Sequence, residues 1–418
     1  ATSTFGILFD PSADGVRTAT ISIASNDPNE NPYTFNIVGT GISLPTVTTQ
    51  AASGIGTTTA TLNGTLTSLG YPNPTFHGFV WGTAANPTTL NNVKNIGNAS
   101  ATGTITQALA GLSAGTTYHI RAFATNTSGT VYGDDVSFTT LAPPVLANIE
   151  GTAIAYTEND AATAVTGALT VTDADDTNLE GASIQISANY QNGQDVLGFI
   201  SQNGITGSWD AGTGTLTLTG TSTIANYQAA LRTVTYSNTS ENPSELSRTV
   251  SITVNDSSLT SNIVTRTINV TRVNDAPVNN VPGAQTVDMD HNLVFSSLNG
   301  NQITFTDDYM NTFEITLSVT NGALTLGSTT GLTFTTGDGT SDASMKFSGG
   351  LADLMSAVGA ITYAPTTSFY GNSLLIITTD DQGNIGTGGA KSDTDSIAIS
   401  VTPPLPAVNR VTSSTANG

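Results

Sequence analysis

At 418 residues, with net charge −21 and no cysteine, the chain is long enough for three or four separately cored domains and has no access to disulfides, thiolate metal sites or a cysteine nucleophile. The acidity is uneven: residues 1–144 carry six acids and three bases, residues 145–418 carry twenty-five and seven. A field of that sign repels phosphate backbones and anionic lipid surfaces, so it argues against nucleic acid and leaves cations as the natural partner. No run of eighteen apolar residues is present, so no membrane insertion is expected within this segment. Apolar residues make up 37% and charged residues only 10%, with Gly, Thr, Ser and Asn filling the rest; Thr and Val alternating with small polar residues favour extended chain, and the expected fold class is all-β.

Residues 1–43 read as about three strands (FGILFD, RTATISIAS, YTFNIVGTG) separated by the turn signals PSADG and NDPNENP. The opening ATSTFGILFD lacks the basic start and long apolar run of a signal peptide, so any export signal is expected outside this sequence. The string ATISIASNDPNENPYTFNIVGTG resembles the last strands of hydin-like (choice-of-anchor D) immunoglobulin-fold modules of bacterial surface proteins, without the front half of such a module. Residues 44–142 follow as a second unit. Its segments ATLNGTLTSLG, FHGFVWGT and LSAGTTYHIRAFATNTSGTVYGDDVSFTT resemble a bacterial fibronectin type III domain, in which Trp81 and Tyr118 are expected as core anchors.

Beyond Pro143-Pro144, residues 143–277 and 278–404 share a pattern. TSTIANYQAALRTVTYSN in the first and GLADLMSAVGAITYAP in the second place apolar residues at helical spacing (Ile224, Tyr227, Leu231; Leu351, Leu354, Val358) ahead of a strand holding Tyr236 or Tyr363. A short helix is expected in each, and the two units read as tandem copies of one module. They resemble the cadherin-like repeats of giant bacterial adhesins, most closely over YTENDAATAVTGALTVTDADDTNLEGASIQIS and VNDAP. Residues 405–418 read as a linker or the first strand of a further repeat. Together the resemblances imply tandem immunoglobulin-like and cadherin-like β-sandwiches in an elongated array, cut from a longer bacterial surface protein.

The cadherin-like resemblance implies calcium at domain junctions, held by a glutamate near the first strand, a spaced acidic pair and an Asn-Asp linker. The matching positions here are Glu158, Asp173 with Asp175, Asp256, and Asn274 with Asp275; Asp307 and Asp308 supply acidic corners of the last unit, where Asp288 and Asp290 stand in place of the glutamate. The fuller linker pattern has an acid and an Asn where this chain has Arg272 and Ala276. The Asp-x-Asp spacing, on extended chain, points both carboxylates to one side. These residues are expected to gather at seams between neighbouring sandwiches, with calcium stiffening at least the joint between the two cadherin-like units. Isolated acidic pairs such as Asp134-Asp135 read as β-turn residues. An EF-hand is excluded, because a loop beginning at Asp173 puts Asn178 and Ile184 where Gly and Glu are needed.

No catalytic constellation emerges, and the chain is expected not to be an enzyme. Gly111 to Gly115 fits the serine-hydrolase pattern G-x-S-x-G, but it precedes a strand, and His77, His119 and His291 pair with no nucleophile. The expected role is a non-catalytic spacer in an extracellular, surface or secreted protein, stiffened by calcium and contacting its neighbouring domains. Two alternatives follow. One is a polysaccharide or cell-surface ligand recognised through Trp209, Tyr309 or Tyr370; the other is a filament in which residues 405–418 complete a neighbour's first unit by strand addition.

Overall fold

The computed structural model describes residues 4–308, 312–383 and 385–404. Thirty-two strands and two eight-residue helices lie within them, so the chain is all-β. The first structured element is an antiparallel hairpin of Gly15–Ile23 and Tyr33–Gly41, in register from Gly15/Gly41 to Ile23/Tyr33. Three sandwiches follow. The first packs a sheet of Thr46–Ser53, Thr59–Ser68 and Gly103–Ala110 against a sheet built on Phe76–Gly82 and Thr117–Asn126. Phe79, Ile120 and Ala122 are fully buried between them, Trp81 packs at their margin, and Tyr118 stacks on Phe138 while its hydroxyl accepts the Ser113 amide.

The second sandwich (strands from Val145 to Thr271) and the third (Val278 to Thr402) have the same sheet topology. Each has a six-stranded sheet whose edge strand, Ile154–Thr157 or Gln285–Asp288, runs parallel to the last strand of the sandwich, Val264–Thr271 or Ser392–Thr402. The facing strands form a three-stranded and a two-stranded sheet in both. The helical spacing is realised as α1 (Ile224–Leu231) and α2 (Leu351–Val358), which turn their periodic residues inward: Tyr227, Ala230 and Leu231 in one, Leu354, Ala357 and Val358 in the other. Thr223 caps α1 by accepting the Asn226 amide, which satisfies one of the donors a helix start leaves over.

Tyr236 and Tyr363 are buried as a matched pair, yet their hydroxyls are used differently. Tyr363 donates to the Asn321 carbonyl, whereas Tyr236 donates to Asp195, which also receives Asn238 and Arg248 in a wholly buried ion pair. Among the described residues no helix is long and apolar enough to cross a membrane.

Candidate cation seams

Strand direction decides where the acidic residues lie. Arg248 pairs with Ile268 and Ile252 with Val264, so the strand Arg248–Asn255 runs away from the linker that follows Thr271 and delivers Asp256 to the opposite end of the sandwich. Eight extended residues span about 26 Å. The candidate residues are therefore divided between two seams. Asp173, Asp175 and Asp256 stand at the first seam, facing the first sandwich, while Glu158, Asn274, Asp275, Asp307 and Asp308 stand at the second.

At the first seam, Asp173, Asp176 and Asp256 each bring a carboxylate oxygen within 4.8 Å of the others. The segment after Thr172 is a bend rather than extended chain, so the two members of Asp-x-Asp part company. One oxygen of Asp173 accepts the amides of Asp175 and Asp176, a local closure typical of Asp at turns. Asp175 then turns to the first sandwich and accepts the Ala142 amide at 2.8 Å, and Asp176 takes its place in the cluster. Asp256 is 3% exposed. Its Oδ1 accepts the amides of Ser258 and Leu259, while its Oδ2, like Asp173 Oδ2, is buried without a partner. Burial and then the charges of Asp173 and Asp176 push Asp175 up; burial, Asp173 and Asp256 do the same to Asp176.

At the second seam, Glu158, Glu241 and Asp275 form the corresponding cluster within 4.8 Å. Glu158, 4% exposed, accepts the Val273 amide through Oε2 at 2.8 Å and leaves Oε1 buried and unpartnered. Both oxygens of Asp308 are likewise buried without a hydrogen bond. Burial raises Glu158, and Asp275, Glu241 and Asp308 add to it; Asp275 is raised by burial and Asp308, against the pull of Lys391. The linker itself is fixed. Asn274, fully enclosed, donates to Asp381 at 2.6 Å and to the Gly389 carbonyl, its amide reaches the Thr387 carbonyl, and Val273 pairs with Thr387 as a parallel bridge. Asn242 closes the other side by donating to the Asp308 carbonyl.

The tandem copies let each position be compared. Thr172 and Thr306 occupy the same register opposite Val145 and Val278, so Asp307 corresponds to Asp173, and Asp381 follows its strand as Asp256 does. The counterpart of Glu158 is Met289, because both follow the parallel pairs Thr157/Thr271 and Asp288/Thr402 and donate to the last residue of those pairs. Asp288 and Asp290 thus do not stand where the glutamate does: Asp288 accepts the Thr402 hydroxyl and Asp290 the Ser368 amide. Asp176 was legible as the end of the TDADD run. Glu241 carried no signal, since it lies in a loop 34 residues from Asp275 that only the fold brings to the linker.

The remaining candidates fall away on geometry. Gly111 to Gly115 is a turn between the strands Gly103–Ala110 and Thr117–Asn126, with Ser113 tied to Tyr118 and Thr140. His77 bonds the Gly97 carbonyl, His119 bonds Asp135, and His291 bonds the Met289 carbonyl. Trp209 packs edge-on against Tyr190 at 6.1 Å beside the core of the second sandwich, Tyr370 stands 64% exposed on the third, and Tyr309 lies outside the described residues, as do residues 405–418.

No family model matches the chain. A stretch of 144 residues is 34% identical to halomucin of Haloquadratum walsbyi, covering 33% of this chain and 2% of that protein, so the chain spans only a small part of this relative. Solved structures similar to it include domains EC1-3 of mouse protocadherin-24 (13% identical, 78% of this chain and 90% of that one, TM-score 0.29) and FN1-FN3 of chicken CNTN1 (10%, 86% and 99%, TM-score 0.25). Domains EC1-2 of human mucin-like protocadherin are a third (9%, 61% and 98%, TM-score 0.26). Scores this low carry no weight, and the fold stands on the strand orders given above.

Proposed function

We propose that this chain is a non-catalytic spacer of an extracellular surface protein, in which calcium binds at both seams and holds the second and third sandwiches in line. One observation carries this reading: buried carboxylate oxygens with no hydrogen-bond partner converge where one sandwich meets the next. An unpaired buried carboxylate is strongly disfavoured, and a divalent cation removes that penalty at several oxygens at once. The donor set consists of oxygens alone, which suits a hard cation such as calcium and offers nothing to a soft one. Asp173, Asp176 and Asp256 would hold it at the first seam, and Glu158, Glu241, Asp275 and Asp308 at the second. The bound ion supplies positive charge and a shared coordination sphere. The chain's own residues supply its position, through the amides that fix one oxygen of Asp173, Asp256 and Glu158 and leave the other for the ion.

Extracellular modules of this kind bind calcium at roughly 0.1–1 mM, so the sites fill outside a cell and empty in the cytosol. The 34% identity to halomucin supports, without establishing, a place in a large surface protein. Thermal melts and small-angle scattering in excess calcium and in EDTA test the reading. Calcium is expected to raise the melting temperature of the sandwiches and to narrow the spread of interdomain arrangements; superimposable curves would sink it. Sugar recognition through the three named aromatics has less support, because Trp209 is committed to packing and Tyr370 stands apart from it on another sandwich.

A further inference from the structure

The strand Asn178–Ala188 shifts register against Thr215–Thr223 between Leu179 and Gly181, where Glu180 alone stands opposite a two-residue bulge, Gly220 and Thr221, of its partner. Leu179 and Ala182 are both buried, so two residues separate core positions that strict alternation separates by one. The tandem copy provides the regular strand: Thr312–Val319 pairs with Ser344–Gly350 without a shift, and Glu314 alone stands between the buried Phe313 and Ile315. Its carboxylate is matched by Lys346 at 2.6 Å. Among the described residues Glu180 makes no such ion pair. Gly181 lies opposite Asn255, the residue before Asp256, so Glu180 runs along the rim that carries the first-seam cluster. Its Oε2 is buried without a hydrogen bond, and after burial itself the charges that raise its pKa are those of Asp176 and Asp256. Buried, unpartnered oxygens of Glu180, Asp173 and Asp256 thus face one rim, and Asp256 is 3% exposed.

We propose that Glu180 is a further carboxylate ligand of a divalent cation at the first seam, placed there opposite the partner strand's bulge, so that every carboxylate around that ion comes from the second sandwich alone. This rests on the cation reading of the seams. It separates them in kind: the second seam draws carboxylates from both sides and from the linker, whereas among the described residues the first sandwich brings no carboxylate to the first-seam cluster and bonds it through the Ala142 amide, held by Asp175. The first seam therefore binds its ion whichever way the first sandwich is oriented.

The test uses the full chain carrying Glu158→Gln and Asp308→Asn, which weakens the second seam and leaves the first intact, titrated calorimetrically with calcium. Adding Glu180→Gln is expected to weaken the remaining site at least about tenfold, since affinity in such sites follows the charge count of the ligands. In EDTA the same substitution is expected to leave the melting temperature equal or higher, because it removes an unpartnered buried charge. Glu314→Gln in the copy should leave calcium affinity unchanged. If Glu180→Gln titrates like its parent while Asp256→Asn weakens binding, the assignment of Glu180 is wrong and the seam reading stands. Should Asp256→Asn also titrate like the parent, both fall. A melting temperature in EDTA well below the parent's would make Glu180 a packing residue and overturn the assignment as well.

Discussion

Glu158 shows how a single side chain can be both fixed and unsatisfied. The Val273 amide holds one oxygen, and the other is buried with nothing to bond. Removing the charge by Glu158→Gln is expected to leave the EDTA melt little changed and to reduce the calcium-induced gain. With a dissociation constant of 0.1 mM and 1 mM calcium that gain is about 1.4 kcal/mol in the wild-type chain, measurable as a loss of shift in paired melts. The pH dependence follows from the same groups. Burial and neighbouring carboxylates raise Glu158, Asp175, Asp176, Glu180 and Asp275 above their ordinary values. A raised carboxyl binds its proton more tightly in the folded state, so its stabilising contribution is present below the ordinary value and is lost as pH rises through the folded one. The calcium-free chain is therefore expected to melt higher at mildly acidic pH than at neutrality, while the increment due to calcium shrinks in that same direction. Glu150 does not interfere: although burial opposes it, bonds from Thr166 and Gly167 and the charge of Arg266 hold it at about 2, so its contribution is lost only as pH falls below the ordinary value. Melts in EDTA from neutral pH to about pH 5 check the sign.

Among the elements, the short helices were the most legible in advance. Apolar residues spaced three and then four apart cannot all lie on one face of a strand, and α1 and α2 bury Tyr227, Leu231, Leu354 and Val358 with Ile224 and Leu351 partly buried beside them. Leu354→Ala, at a fully buried position of α2, is expected to destabilise the third sandwich by about 2–5 kcal/mol, read from its denaturation transition. The partners of the paired tyrosines were not legible, because Asp195 and Arg248 lie 53 residues apart and meet only across the core. Arg248→Ala leaves the Asp195 charge buried with only neutral donors, Tyr236, Asn238 and the Gln191 amide, and is expected to cost about 3–5 kcal/mol; denaturant titration of the second sandwich measures it. The acidic elements were half legible. An Asp-x-Asp sequence fixes the spacing of two carboxylates, but the bend after Thr172 turned Asp175 toward Ala142 and brought Asp176 in its place.

On the scale of the whole molecule, the second seam is braced without any ion. Asn274 is clasped by Asp381 and the 387–389 segment of the third sandwich, so hydrogen bonds enclosed within the joint tie the linker to that sandwich. Asn274→Ala is expected to broaden the scattering-derived distance distribution even in excess calcium, and further in EDTA; an unchanged distribution in both would assign the stiffness elsewhere. By itself the sequence determined the all-β class, the tandem repetition and the presence of both helices, because alternation, helical spacing and turn residues act over a few neighbouring positions. It also marked most of the acidic residues that reach the seams. Only the tertiary structure decided which seam each one joins. A strand's direction sends its last residue to one end of a sandwich or the other, and pairing over tens of residues, invisible to local spacing, sets that direction and brings Glu241 to Asp275.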